Sequence, residues 1–242
     1  MLYICFRCNG YHPDEHRVCT ELDKVYFQYG SSSKFMLRLD KSLSVTNYPG
    51  HKGVPEACGL VALLFAHDVI QSKPLHTWQR CGSGEYIPLH MYDLLCTALR
   101  QGIDTYKMNY GETCKSLTVQ EILLLLSEKN LTVVEEWIPP ITTIKFITEN
   151  VLNLKLNEII LIIRMDDYNV WSISRRDFPS DLILLDSQPH NVFNVSENKV
   201  VEHGALVVQL ALNFHAISRT LSLLENYSGT FSKRCSIVLL KV

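Results

Sequence analysis

The stretch GVPEACGLVALLFAHDVI, residues 53 to 70, decides the fold prediction for this chain. A turn that contains proline and glutamate gives way at Cys58 to a run of apolar residues. From Gly59 to Ile70 these residues occupy nearly every side of a helix, and such a helix belongs at the centre of a domain. The unpaired N–H groups at a helix start favour a thiolate. The stretch therefore predicts either a small core cysteine or a nucleophile that begins a buried helix.

The composition is that of an ordinary globular protein. Of the 242 residues, 47% are hydrophobic and 20% are charged, which is enough apolar material for a sizeable core. The formal net charge of -2 does not indicate binding to nucleic acid or to anionic membranes through an overall positive charge. The first residues lack the basic and apolar segments of a signal peptide. We therefore expect a cytoplasmic protein, with the nucleus as a second location, that has neither a nucleic-acid nor a membrane partner.

The predicted elements place helices first and a sheet second. Helices are predicted over 59–70 and 89–101, with Gly102 as the stop of the second, and a T-x-x-E capping box at Thr118 and Glu121 begins a third. The second half carries five strand-like runs: EIILIIR, YNVWSIS, LILLD, ALVVQL and CSIVLLK. A further helix is predicted between the last two runs. This order predicts an α+β fold rather than alternating strand–helix units.

The first 40 residues are predicted to be amino-terminal strands ahead of a domain that spans residues 41–242. Within them, CFRCNGYHPDEHRVC contains a C-x-x-C pair followed by histidines and a third cysteine. Cysteine and histidine are the usual ligands of structural zinc. The candidate zinc ligands are Cys5, Cys8, His16 and Cys19, with His12 as the alternative histidine. The alternative is that these are incidental thiols at the end of a strand. If zinc is bound, a further functional hypothesis is a zinc-stabilised adaptor.

A partner for Cys58 is predicted in DLILLDSQPHNVF, residues 181–193. LILL is a buried strand, Asp186 ends it, and His190 lies in the turn that follows. An acid and a histidine at the end of a core strand suit an orienting carboxylate and a base. His203, ahead of another strand, is the reserve base. The alternative is that the cysteine is a core residue and the Asp-Ser-x-Pro sequence is a plain turn.

Four stretches follow one another in a familiar order: EACGLVALLFA, then MYDLLCTALRQGIDTYKMNYG after Trp78, then YNVWSISRRDFPSDLILLDSQPH, and finally HGALVVQLALNFHAISRTLSLLENY. In order and spacing they resemble the cysteine protease domain of herpesvirus large tegument proteins and related tegument-like deubiquitinases. The resemblance spans roughly residues 47–227. It implies a papain-like fold whose helical first half packs on an antiparallel sheet.

The resemblance implies a thiol-dependent deubiquitinase that cleaves after the carboxy-terminal glycine of ubiquitin or a ubiquitin-like modifier, with no cofactor needed for catalysis. Cys58 would attack the carbonyl carbon of that glycine, Asp186 would match the catalytic aspartate, and Asn47 would help to hold the oxyanion. Where the family has a histidine two residues after the aspartate, this sequence has Gln188, which cannot usefully accept a thiol proton. His190 follows two residues later. The alternative is a catalytically inactive protease-like module that binds ubiquitin or another protein.

Overall fold

The computed structural model describes residues 2–4, 11–13, 26–28, 33–48, 54–72, 78–80, 86–139, 143–164, 168–175, 181–194, 198–228 and 235–242. The candidate zinc ligands Cys5, Cys8, His16 and Cys19 lie outside these residues. The zinc site therefore stays a prediction.

The described residues contain five α-helices. They are α1 (Cys58–Gln71), α2 (Leu89–Tyr110), α3 (Val119–Leu125), α4 (Ile144–Leu152) and α5 (Phe214–Ser228). The capping box predicted for the third helix is confirmed, because the Thr118 side chain accepts the backbone N–H of Glu121 and the Glu121 carboxylate accepts the backbone N–H of Thr118. Short 3-10 helices lie at Pro55–Ala57, directly ahead of α1, and at Ser127–Lys129.

The described strands are β1 (Leu2–Ile4), β2 (Tyr11–Pro13), β3 (Tyr26–Gln28), β4 (Ser33–Asp40), β5 (Trp78–Arg80), β6 (Tyr86–Pro88), β7 (Thr132–Trp137), β8 (Glu158–Arg164), β9 (Asn169–Arg175), β10 (Asp181–Asp186), β11 (His190–Asn194), β12 (Lys199–Ala211) and β13 (Cys235–Lys241). Nine of them form one sheet in the order β3-β4-β12-β10-β9-β8-β13-β7, with β11 also paired to β12. Each pairing in this sheet is antiparallel. The five strand-like runs of the second half are confirmed as β8, β9, β10, β12 and β13.

Alternation of side chains along the strands divides the core between the two faces of the sheet. In β10, Ile183 and Leu185 belong to a cluster with residues of α1, α2 and α3, whereas Leu182 and Leu184 belong to a cluster with residues of α4 and α5. Helices therefore cover both faces. The face that α2 and α3 cover also carries α1, which has ten of its 14 residues buried. Each fully buried large apolar side chain contributes roughly 1.5–3 kcal/mol, so packing fixes the position of α1. The fold is a mixture of helices with an antiparallel sheet.

The interpretation of Gly102 as a helix stop is wrong, because α2 continues for two more turns to Tyr110. A Cβ atom at Gly102 would lie 2.7 Å from Val61 Cγ2 and 3.0 Å from the Val61 backbone nitrogen. Glycine is therefore required for the close approach of α1 and α2. The helix ends at Gly111, whose positive φ of +64° is the left-handed conformation that glycine adopts freely.

The sheet extends across the domain boundary predicted at residue 40. The β4 strand pairs with β12, with Leu37 opposite Val207, and β3 pairs with β4 on its other side. The backbone of residues 26–28 and 33–40 is thus part of the same sheet as the strand that supports the candidate site.

Candidate active site

Cys58 is the first residue of α1, as the sequence predicts, and its side chain is 0% exposed. The helix start has no side-chain cap, and the preceding turn is closed by the Ala57 N–H, which donates to the Val54 carbonyl oxygen at 2.9 Å. The Cys58 thiol donates to the carbonyl oxygen of Tyr168 at 3.5 Å. Since a carbonyl oxygen can only accept a hydrogen bond, this contact favours the protonated thiol over the thiolate.

The surroundings of Cys58 oppose its ionisation. Burial raises the pKa of the thiol to about 12, and the negative charge of Asp186 also raises it. The backbone N–H of Val170, the side chain of Gln188 and the backbone N–H of Gly59 lower the pKa of Cys58, but by less than burial raises it. At pH 7 the raised pKa keeps the thiol protonated. The arrangement is that of a buried, neutral thiol.

Gln188 is the side chain that occupies the position beside the thiol. Its Oε1 atom accepts the Thr46 hydroxyl at 3.0 Å, and its Nε2 atom donates to the Pro55 carbonyl oxygen at 3.3 Å. Its backbone N–H donates to Asp186 Oδ1 at 3.0 Å. Two partners thus hold the carboxamide in place, and a third holds the backbone of the same residue. Nothing in the local sequence indicates the contacts with Thr46 and Pro55, because these residues are 142 and 133 positions away.

Asp186 and His190 do meet. The distance between Asp186 Oδ2 and His190 Nε2 is 3.5 Å, and the two side chains are 0% and 7% exposed. Burial raises the pKa of Asp186, against the effects of His190, the backbone N–H of Gln188, and the side chains of Trp171 and Asn169. The two side chains are therefore neighbours, but Asp186 Oδ2 and His190 Nε2 do not form the hydrogen bond by which an acid orients a histidine.

The prediction that His190 lies in a turn is wrong, because it is the first residue of β11. The register of β11 and β12 places it opposite His203, which is also buried. A strand therefore fixes the backbone of His190, and its side chain lies against that of Asp186. The polar side chain that lowers the pKa of the Cys58 thiol is that of Gln188.

Asn47, the predicted oxyanion donor, is exposed, and its Nδ2 atom donates to the Lys41 carbonyl oxygen at 3.1 Å. Its segment is nevertheless attached to the site, because the Val45 N–H donates to the Ser187 carbonyl oxygen at 2.9 Å. The oxyanion role of Asn47 stays a prediction. The side chain that reaches the site from this segment is that of Thr46, which the sequence analysis missed.

The described residues provide no group of three or more histidine, cysteine, aspartate or glutamate side chains that could hold a metal ion. In that same part of the chain, no helix has both the length and the apolar character needed to cross a membrane.

Comparisons with known proteins give little to set beside this geometry. No protein-family model matches the chain, and no curated protein matches it. Among solved structures, the chain is similar to the Pseudomonas avirulence protein AvrPphB, with a TM-score of 0.38 and 10% sequence identity. That similarity covers 78% of this chain and 95% of the other. A similarity with so low a TM-score carries no functional conclusion.

Proposed function

We propose that the chain is a papain-like, protease-like module that binds ubiquitin or a ubiquitin-like protein without hydrolysing it. The observation that carries this proposal is the carboxamide of Gln188 beside the Cys58 thiol, where hydrolysis requires a base. The class of partner follows from the resemblance of four stretches of the sequence to tegument-type deubiquitinases.

The chemistry of the site supports a non-hydrolytic role. An amide has no basic lone pair that could take the thiol proton, and the Gln188 amide is already bonded to Thr46 and Pro55. The buried charge of Asp186 further disfavours a second negative charge on the Cys58 sulfur. In this arrangement the sulfur remains a weak nucleophile.

The contact between Asp186 and His190 supports a second candidate, an active thiol deubiquitinase. A carboxylate beside an imidazole orients a catalytic base once a hydrogen bond joins the two groups, and here they lie 3.5 Å apart. In this alternative, His190 would have to accept the proton of Cys58 when substrate binds, since catalytic hydrogen bonds often form only in the complex. The two candidates share a fold and differ in one proton transfer.

One experiment separates these candidates. Ubiquitin that carries a carboxy-terminal electrophile is incubated with the wild-type chain and with Gln188→His, and the adduct is measured by intact mass. For a binding module, we expect no adduct with the wild type and an adduct with Gln188→His, because the substitution supplies a base beside the thiol, two residues after Asp186. An adduct with the wild type that is lost in both Cys58→Ala and His190→Ala would instead support the deubiquitinase.

Binding is measured separately from chemistry. We expect ubiquitin, or one member of a panel of ubiquitin-like proteins, to bind the wild type and Cys58→Ala with the same affinity by titration calorimetry. Circular dichroism of both proteins checks that the substitution leaves the fold intact. A folded chain that binds no member of the panel would contradict the proposed function.

A further inference from the structure

Tyr168, the residue immediately before β9, joins the candidate site to the segment ahead of α3. Its carbonyl oxygen accepts the Cys58 thiol at 3.5 Å, and its hydroxyl donates to the Leu117 carbonyl oxygen at 2.7 Å. Its φ of +38° lies in the left-handed region, which a tyrosine adopts only when its surroundings hold it there. The same residue thus contacts the thiol through its backbone and is fixed through its side chain.

The side chain of Tyr168 packs across the first turn of α1. A Cβ atom at Gly59 would lie only 3.0 Å from the Tyr168 hydroxyl oxygen and 2.5 Å from Ile122 Cδ1. Glycine is therefore needed directly after Cys58 for the hydroxyl to pass over the helix and reach Leu117. Cys58, whose thiol contacts the Tyr168 carbonyl oxygen, is fully buried.

We propose that Tyr168 is a latch that keeps Cys58 buried and hydrogen-bonded. Release of the Tyr168 hydroxyl from Leu117 would expose the Cys58 thiol to electrophiles. The left-handed backbone stores strain, so that loss of the hydroxyl contact favours opening. The latch is independent of the proposed function, because it governs access to the thiol whether or not the site hydrolyses a substrate.

The test measures alkylation of the native full-length chain by iodoacetamide, with each cysteine followed by peptide mass spectrometry. Tyr168→Phe removes the hydroxyl and keeps the ring. We expect Cys58 to be alkylated about five-fold faster in this variant, the change that follows from the loss of one hydrogen bond of ordinary net strength. Cys96 of α2 and Cys235 of β13 are also buried and should react at unchanged rates.

Tyr106→Phe is the matched control. The Tyr106 hydroxyl is bonded to the Thr113 and Lys115 carbonyl oxygens at 2.8 and 2.9 Å, in the same connecting segment as Leu117. We expect this control to leave the alkylation rate of Cys58 unchanged. Equal Cys58 rates in the wild type and Tyr168→Phe would overturn the latch.

Two other outcomes would overturn it as well. The first is an equal acceleration at Cys58 in Tyr106→Phe, which would mean that the connecting segment has loosened as a whole. The second is an equal acceleration at Cys96 and Cys235 in Tyr168→Phe, which would mean that the hydroxyl supports the whole fold. None of these measurements uses ubiquitin, so failure of the latch and failure of the proposed function are distinguishable.

Discussion

The starts of α1 and α3 meet the same requirement in different ways. Every helix leaves its first N–H groups without partners inside the helix. At α3, Thr118 and Glu121 satisfy them with side chains three positions apart. At α1 there is no side-chain cap, and the helix instead begins in the core, where the Cys58 thiol donates to the carbonyl oxygen of Tyr168. One start is closed by local sequence, whereas the other is assembled from parts of the fold that are distant in sequence.

The two starts also depend on pH in opposite directions. The ion pair with Lys115, followed by hydrogen bonds from Thr118, lowers the pKa of Glu121 from 4.5 to about 2, so its contribution to stability is present above pH 4.5 and is lost as the pH falls toward 2. Burial raises the pKa of Cys58 from 9.0 to about 12, so its contribution is present below pH 9 and is lost as the pH rises toward 12. The exposed start of α3 therefore weakens in acid, whereas the buried start of α1 weakens in alkali.

The largest expected effect comes from moving α1 against α2. Gly102→Val places side-chain atoms against the backbone of Val61, and we expect a loss of about 3 kcal/mol in the free energy of unfolding, measured with urea. Gly111→Asn is the control, because its positive φ suits asparagine and nothing lies near its missing Cβ atom. Equal losses in both variants would show that α1 does not depend on the close approach at Gly102.

The second largest effect is a loss of stability at alkaline pH. In the wild type, ionisation of Cys58 in the unfolded chain should reduce stability by about 1 kcal/mol per pH unit between pH 9 and pH 11, since the folded thiol stays protonated there. In Cys58→Ala, this part of the loss in unfolding free energy should be absent, as measured by urea unfolding of both proteins at several pH values. If the two proteins lose stability in parallel over this range, the thiol is not held protonated by the fold.

The smallest effect is expected at the start of α3. Thr118→Ala removes the side chain that accepts the Glu121 N–H, and a lost cap of this kind costs about 1 kcal/mol. Gln120→Ala, at an exposed position in the same helix, should change the unfolding free energy by much less. The alkylation rate of Cys58 should be the same in both variants. A change in that rate with Thr118→Ala would mean that the two helix starts are coupled.

This contrast explains which features the sequence could predict. The capping box of α3 and the five strand-like runs were predicted correctly, because their signals lie within a few neighbouring residues. The start of α1 at Cys58 was also predicted correctly, from the change to an apolar run. Gly102 was misread because its role depends on contact with Val61 of another helix, which periodicity along α2 does not reveal.

The candidate site was predictable in its parts but not in its arrangement. Asp186 and His190 were selected from the end of one strand, and they do meet. The short strand β11 was missed because it follows a proline directly and has only five residues. The contacts of Gln188 with Thr46, and of Tyr168 with Cys58, join residues more than 100 positions apart, so no local pattern indicates them.

The position of β13 in the sheet has a consequence for how the protein is made. This strand pairs with β8 on one side and β7 on the other, although it follows both of them in the sequence by about 70 residues or more. During synthesis on the ribosome, β7 cannot join the sheet until Lys241 has left the exit tunnel. Nascent chains should therefore carry an unpaired, apolar β8 edge while the roughly 70 residues between β8 and β13 are made, which is an opportunity for chaperones to bind and a risk of aggregation.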